Sequence, residues 1–372
     1  MGLHTPWEDM KRCVLNADGS VNYYLNPSDS TEKADGSAAI IDGTDGNVMV
    51  EIPKFYFRHT LVGTLNTWNI RTAPFAGYTV HPAFVKAGVE VNYRYIGAYN
   101  ACYLDDTDST YKSGLNLDDM TSNLDLAADK LASVSGVYPL VGVTRGECRT
   151  LAENNGTGWH QLDFALWSAI QMLFLVEHSD FKTQVITGDG NTGASYVSSS
   201  ASQTDSPHSV AGKSNALGNA STDTTSGASS ATRDTAYMSY RGIENWYGNC
   251  WTWADGINVN QGTAGNVYVT NDYTDFADNT TTGYTLLSLA FPTASGYVRN
   301  ILNTGAYFLS GDNTGGSSTT YLADQHFPNA SLSRTVRVGG NSSLGVSAGG
   351  FCLSSSGSVS NANRNIGARL CC

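Results

Sequence analysis

Charged side chains are scarce in this sequence, and positive ones are the scarcest. Of 372 residues only 15% are charged, with 21 Lys and Arg against 33 Asp and Glu, which gives a formal net charge of −12. Soluble domains average about 25% charged residues. The low charge density, combined with 41% hydrophobic residues, excludes a charge-rich disordered protein. The isoelectric point near 4.9, with no Lys/Arg cluster to offset it, excludes a general nucleic-acid binder.

Long apolar runs and patterned cysteines are also missing. No stretch approaches the ~18–20 apolar residues of a membrane span, and no basic start precedes an apolar run. We therefore expect neither a membrane helix nor a signal peptide. The seven cysteines include no C-x-x-C spacing. Their scatter argues against a disulfide framework and a zinc site, and favours a chain that folds in a reducing cytosol.

Neutral polar residues take the place of charges, and they surround a few strong structural signals. The β-branched and aromatic run 48–60 predicts a strand. A capping box opens segment 144–153, and segment 163–178 is apolar on most faces, so both predict helices, the second one buried. Trp251 and Trp253 predict one face of a strand. Two helices among many short strands and long loops predict an α+β fold.

Composition divides the chain into an N-terminal region and one domain that contains an insertion. Residues 1–47 are rich in Asp, Gly and Asn and predict a β-rich N-terminal region, which either attaches the chain to an assembly or belongs to the next domain. Residues 48–372 predict one domain. Within it, about 188–234 is dominated by Ser, Thr, Ala, Gly and Asn, with Tyr196 as its only aromatic residue. This composition predicts a loop insertion without a core of its own.

Several short motifs match known site patterns but lack the surroundings that those sites need. Residues 188–193 satisfy G-x-G-x-x-G with no helical period after them, so we interpret them as a glycine-rich turn. Residues 345–349 satisfy G-x-S-x-G, but that hydrolase order needs a later histidine and the last one is His326. The acidic segments 42–46 and 105–108 lack the closing glutamate of a calcium loop. We expect solvated turns there and no cofactor, with a structural Ca²⁺ left open.

A tryptophan-rich segment carries the strongest family signal. Residues 240–253 read YRGIENWYGNCWTW and resemble the R-G-x-E-x-x-x-G-N-x-W-x-W signature of the formylglycine-generating-enzyme (sulfatase-modifying-factor) branch of the C-type lectin fold. Residues 365–370, NIGARL, are similar to the closing strand of that family. Residues 144–190 resemble the helix pair that precedes the signature. The resemblance spans nearly the whole chain from residue 48 and implies a C-type-lectin-type fold.

Two kinds of protein share this fold, and cysteine positions separate them. For the copper-dependent oxidase that makes formylglycine, the resemblance implies a pair of reactive cysteines shortly before the closing strand. This chain has only Cys352 there, while Cys371 and Cys372 follow the expected closing strand as adjacent residues, a poor geometry for a shared metal. The copper oxidase is therefore the disfavoured alternative, and we expect no enzyme.

The other kind comprises receptor-binding proteins of phage tails and variable proteins of diversity-generating retroelements, including those like the major tropism determinant. Residues 48–57 and 81–84 resemble the entry of tail-fibre receptor-binding domains. Residues 331–364 combine small hydrogen-bonding side chains with a few Arg and aromatic anchors, as a binding surface requires. An ordinary β-turn role stays open for each position. The expected ligand-binding residues are Arg337, Asn341, Ser343, Leu344, Phe351, Leu353 and Ser355.

The resemblance implies a host-attachment role in the virion. We expect a phage tail (fibre or tip) adhesion protein, made in the bacterial host cytoplasm, that recognises a bacterial cell-surface glycan or protein without chemistry. Other phage tail proteins are expected partners, a homotrimer is the expected assembly, and no nucleic acid is expected. An acidic, charge-poor surface favours aromatic stacking and hydrogen bonds over long-range steering. Whether a retroelement diversifies the segment is decided by the gene's DNA.

Overall fold

A computed structural model describes residues 5–113, 124–193, 208–227 and 236–372, whose regular structure is mainly β-strand. Strands β1 to β13 are Lys11–Leu15, Val21–Asn26, Asp29–Lys33, Asn47–Pro53, Tyr56–Val62, Leu65–Arg71, Thr79–Val80, Val85–Lys86, Val89–Glu90, Tyr93–Gly97, Cys102–Asp105, Thr110–Lys112 and Lys130–Ala132. Strands β14 to β27 are His160–Gln161, Ser239–Tyr240, Ile243–Glu244, Trp251–Val259, Asn266–Val269, Thr285–Ala290, Gly296–Tyr297, Asn300–Asn303, Phe308–Asp312, Gln325–Pro328, Arg334–Val338, Leu353–Gly357, Ile366–Gly367 and Leu370–Cys371. Helices α1 to α3 are Arg145–Glu153, Phe164–His178 and Thr183–Thr187.

Both predicted helices are confirmed, and their sequence signals act as expected. Thr144 caps α1: its Oγ1 accepts from the Glu147 N–H at 3.3 Å, and Glu147 Oε2 accepts from the Thr144 N–H at 2.9 Å. Asp163 caps α2 by accepting from the Leu166 N–H at 2.8 Å. Helix α2 is buried over most of its length, as an all-round apolar helix must be. Within the described ranges, no helix is long and apolar enough to cross a membrane.

The first large sheet has seven strands in the order β14-β27-β10-β4-β1-β2-β3. Its central strand β4 is buried on both faces because its side chains alternate: Val48 and Val50 join the main core cluster, whereas Met49 joins a second cluster. The predicted run 48–60 is not one strand. Pro53 has no N–H for the ladder and ends β4, and β5 pairs with β6 and β7 in a separate sheet.

The N-terminal region extends this same sheet. Strand β1 pairs with β4 from Lys11 opposite Glu51 to Leu15 opposite Asn47. Strands β2 and β3 continue the sheet outward, and Leu25 lies in the main core cluster. The boundary drawn at residue 48 therefore falls one residue into β4, within a continuous sheet.

The second large sheet carries the C-terminal segment. Its order is β19-β18-β17-β24-β25-β23-β20, with β26 parallel to β17. The main core cluster combines residues of both sheets and of α2. The last strand, β27, returns to the first sheet and lies between β10 and β14. The closing strand was expected at 365–370; the structure instead places Cys371 inside the last strand, paired with Ile96 and His160.

The predicted insertion at 188–234 is only partly described, because residues 194–207 and 228–234 lie outside the described ranges. The described parts contain little regular structure, as a loop should, yet they are well packed. Asn191, Ser214 and Thr222 are buried, and Ser214 Oγ accepts from Arg12 Nη2 at 2.6 Å. Polar loop residues here satisfy buried groups of the first sheet.

Candidate ligand-binding face

The start of the tryptophan-rich signature joins the end of α2 to the strands that follow. Tyr240 Oη donates to Glu177 Oε2 at 2.9 Å, and Arg241 Nε donates to Glu177 Oε1 at 3.1 Å. Arg241 has a φ of +49°, which turns the chain sharply between β15 and β16. Burial, together with the Glu177 carboxylate, raises the pKa of Tyr240 well above its ordinary value, so its hydroxyl stays a donor.

A buried arginine locks the signature to the end of the chain. Arg369 Nη1 donates to the Gly97 carbonyl at 2.7 Å, and Nη2 donates to the carbonyls of Glu244 and Asn245 at 2.7 and 2.8 Å. Burial lowers the pKa of Arg369 to about 10. The Glu244 side chain is occupied as well, since its Oε2 accepts from Ser214 Oγ at 2.7 Å.

Two of the three tryptophans of the signature, Trp246 and Trp253, are core residues. The Trp246 ring lies 5.4 Å from Trp167 and 5.6 Å from Phe174, centroid to centroid. Trp253 Nε1 donates to the Val143 carbonyl at 3.0 Å. Both tryptophans are buried. The signature therefore builds a rigid scaffold and displays none of these side chains to a ligand.

One side of the β24–β25 pair presents polar groups on an aromatic base. Arg337 lies opposite Ser354 in the ladder, its Nε donates to Ser354 Oγ at 3.2 Å, and its Nη2 donates to Ser356 Oγ at 3.3 Å. The guanidinium carbon lies 5.4 Å from the centroid of the Trp251 ring, a cation–π distance. Arg337 and Ser356 are both half-exposed. The arginine is thus held in one orientation at the surface.

The opposite side of β25 faces the core. Leu353 is buried in the main cluster, and Ser355 is 1% exposed with its Oγ 2.9 Å from His326 Nε2. Burial lowers the pKa of His326 to about 3, so the imidazole is neutral. Leu353 and Ser355 were expected to contact ligand, but alternation along the strand turns them inward. Their neighbours Ser354 and Ser356, which were not among the expected ligand-binding residues, face Arg337.

The loop after β24 combines a buried asparagine with two surface residues. Asn341 is 2% exposed, and its Oδ1 accepts from both the N–H and the Oγ of Ser343 at 3.1 Å. Ser343 is exposed and Leu344 is half-buried, packed against the cluster that contains Trp251. Asn341 therefore shapes the loop from below, while Ser343 and Leu344 offer surface.

Phe351 is a core residue and not a surface anchor. It is 7% exposed, with its ring 4.8 Å from Phe181 and 5.5 Å from Phe308. Its N–H donates to Asp324 Oδ2 at 2.8 Å. Burial raises the pKa of the Asp324 carboxyl well above its usual range. Four of the seven expected contact residues are thus buried: Asn341, Phe351, Leu353 and Ser355.

We define the C-terminal face by the surface residues that remain and their neighbours. Phe327 and Leu344 pack against the cluster that contains Trp251, and Arg337 lies over the Trp251 ring. Arg334 borders these residues, and its Nη1 donates to the Ser356 carbonyl at 3.4 Å. The members are Phe327, Arg334, Arg337, Ser343, Leu344 and Ser356. Phe327, Arg334 and Ser356 were not among the expected contacts. Alternation along β25 puts Ser356 on the side of Arg337, but only the pairing of β25 with β24 shows which side faces outward. Phe327 lies on β23, and no local sequence pattern indicates that it belongs to this face.

The cysteines do not form a thiolate site. Six of the seven are buried, and Cys372 is partly exposed. Burial raises the pKa of Cys352 well above its ordinary value, so its thiol stays protonated. These residues do not fit the copper chemistry of the oxidase. Over the described ranges, no group of three or more His, Cys, Asp or Glu side chains could hold a metal ion.

The acidic turn at 105–108 already contains a cation. Lys112 Nζ lies 2.5 Å from Asp105 Oδ2 and 2.6 Å from Asp108 Oδ2. The two carboxylates raise the pKa of Lys112, and its ammonium lowers theirs. The turn is thus stabilised by an ammonium group of its own hairpin.

Comparisons with known proteins do not assign a family. No protein-family model matches the chain, and no curated protein is significantly similar to it. The observations that bear on function are therefore the geometry of the C-terminal face and the resemblance of the signature segment.

Proposed function

We propose that this chain is a receptor-binding protein of a phage tail fibre or tip, and that its C-terminal face holds a bacterial cell-surface ligand by contact alone. One observation carries the proposal: Arg337 is oriented by two serine hydroxyls over the Trp251 ring at the surface of a sheet. Binding surfaces use such rigid anchors because little side-chain entropy is lost on binding.

The proposed fold is the C-type-lectin type of the formylglycine-generating-enzyme branch. Two features support it. Strand β27 returns to the sheet that the N-terminal strands extend, where it lies between β14 and β10. The signature residues and Arg369 are buried together, as expected of a scaffold that many sequences share. In the same proposal the chain acts in the virion, as a homotrimer attached to other tail proteins.

A binding assay on whole bacteria tests the function. Labelled protein is incubated with a panel of bacterial strains, and bound protein is measured by flow cytometry for the wild type, Arg337→Glu and Lys33→Glu. Lys33 lies on β3 of the other large sheet, so its reversal is a matched charge control. We expect binding to a subset of strains, lost in Arg337→Glu and retained in Lys33→Glu. Binding to no strain, or equal binding by both variants, would contradict the proposal.

The copper oxidase is the alternative that this surface does not favour. Its reaction needs accessible thiolates, and the thiol before the last strand, Cys352, is 1% exposed. Oxidation of a cysteine peptide by the purified chain with added copper would reverse this assignment.

A further inference from the structure

A concave surface is formed by residues outside the C-terminal face. It is a groove of about 490 Å³ whose aromatic lining is Trp68, Phe181 and Tyr321. One wall is the start of β6 and the turn before it, and the other is the start of β21. Ligand sites typically have volumes of ~300–1,000 Å³. We call this surface the aromatic groove.

The Trp68 and Phe181 rings are held in place by contacts within the chain. Trp68 Nε1 donates to the Gly305 carbonyl at 3.1 Å, and its ring lies 5.4 Å from Phe308. The Phe181 ring meets Tyr321 edge-on at 5.1 Å. Phe181 is buried and forms the floor, whereas Tyr321 is 62% exposed. The groove is therefore a preformed surface with one accessible stacking ring.

Polar side chains line the same groove with hydrogen-bonding groups to spare. Asn66 Oδ1 lies 2.9 Å from His59 Nε2, which leaves the Asn66 amide N–H groups without a partner among the described residues. Arg299 and Asn300 are exposed, and their side chains make no hydrogen bond within the described ranges. Donors next to ring faces suit a ligand with both an apolar face and a hydroxyl edge.

We propose that the aromatic groove binds a neutral saccharide. A pyranose ring has C–H groups that pack on an aromatic face and hydroxyls that pair with amide and guanidinium donors at its edge. An acidic ligand fits less well. Arg299 is the one cation among the described lining residues, and it interacts with Asp312, whose pKa is lowered by the Thr314 N–H and, to a lesser extent, by Arg299. An apolar peptide fits less well because polar side chains form much of both walls.

The groove also gives a role to a residue singled out by the sequence. Phe351 packs against Phe181 from below, so it supports the floor of the groove. The proposal deepens the proposed function and rests on it only for the source of the saccharide, a bacterial surface. The groove and the C-terminal face can be tested separately.

Saturation-transfer difference NMR on the full chain tests the groove. The probes are the methyl glycosides of glucose, galactose, mannose, rhamnose and N-acetylglucosamine at millimolar concentration. We expect at least one probe to be saturated through its ring C–H protons. Tyr321→Ala should weaken that binding about tenfold, Tyr321→Phe should retain it because the ring remains, and Tyr93→Ala should leave it unchanged. Tyr93 is a 48% exposed tyrosine outside the groove.

The outcomes separate this proposal from the proposed function. The saccharide site is overturned if no probe receives saturation from the wild type, or if the Tyr321→Ala variant saturates the probe as strongly as the wild type does. Loss of cell binding in Tyr321→Ala without saturation of any probe also overturns it, in favour of a protein segment as the ligand. Saturation that depends on Tyr321, in a chain that binds no cells, would uphold the groove and contradict the receptor-binding role.

Discussion

Two neighbouring serines on β25 allow a matched test of which side of this strand faces the core. Ser355 is 1% exposed and hydrogen-bonded to the neutral imidazole of His326. Ser356 is half-exposed, and its Oγ accepts from Arg337. We consider Ser355→Asp and Ser356→Asp, which place the same charge one residue apart and on opposite sides of the sheet.

The expected effects differ by several kcal/mol. A carboxylate buried without a cation loses its hydration, which costs several kcal/mol even after relaxation. We expect Ser355→Asp to lower the free energy of unfolding by ~3–5 kcal/mol, a large part of the ~5–15 kcal/mol that holds a domain together. Ser356→Asp gains the Arg337 guanidinium as a partner at the surface, and we expect a change within ~1 kcal/mol.

Urea unfolding followed by tryptophan fluorescence and circular dichroism measures both variants against the wild type. The penalty of Ser355→Asp should shrink as the pH falls and vanish below the ordinary Asp pKa of ~3.9, where the new carboxyl is protonated in folded and unfolded chains alike. An equal decrease in the free energy of unfolding for the two variants, or a larger decrease for Ser356→Asp, would refute the strand orientation that defines the C-terminal face.

Three further changes probe the scaffold and its charges. Arg369→Lys should leave at least one buried carbonyl without a donor and lower the free energy of unfolding by ~2–3 kcal/mol in the same urea assay. Asp324→Asn should raise Tm at neutral pH. Burial raises the pKa of Asp324, so the stability from its protonated form is complete below the unfolded pKa and is lost as the pH rises. Lys112→Gln should lower Tm slightly at low salt and not at high salt, because Asp105 and Asp108 then repel each other without screening.

One of these predictions has a control variant within the chain, and each has an outcome that would contradict it. Arg71→Lys, at an exposed position on β6, is the match for Arg369→Lys and should be neutral. An equal decrease in the free energy of unfolding for Arg369→Lys and Arg71→Lys would contradict the hydrogen bonds assigned to Arg369. A Tm difference between Asp324→Asn and the wild type that stays constant from about pH 4 to pH 7 would contradict the raised pKa. A salt-independent effect of Lys112→Gln would contradict an electrostatic role for that lysine.

Local signals predicted the helices well. The capping box at Thr144 and the apolar run after Asp163 act through contacts within a few residues, so they can be read from the sequence. The signature segment was also informative, because Trp246 and Trp253 are large side chains that must be buried.

Contacts between distant segments could not be predicted from local sequence patterns. The side of β25 that faces outward depends on its pairing with β24, which a run of small residues does not reveal; hence Ser355 was expected at the surface in place of Ser356. Phe351 is buried because Phe181 and Phe308, far away in the chain, enclose it. The aromatic groove is likewise assembled from four separate segments, none of which is distinctive alone.

We propose that the C-terminal face binds a cell-surface ligand. The most direct test is the dissociation constant of Ser356→Asp for a strain that the wild type binds, with Lys33→Glu as the control. We expect binding at least about tenfold weaker for Ser356→Asp, with the free energy of unfolding within ~1 kcal/mol of the wild type, because the new carboxylate pairs with the Arg337 guanidinium that would otherwise meet the ligand. Wild-type affinity in this folded variant would contradict the claim.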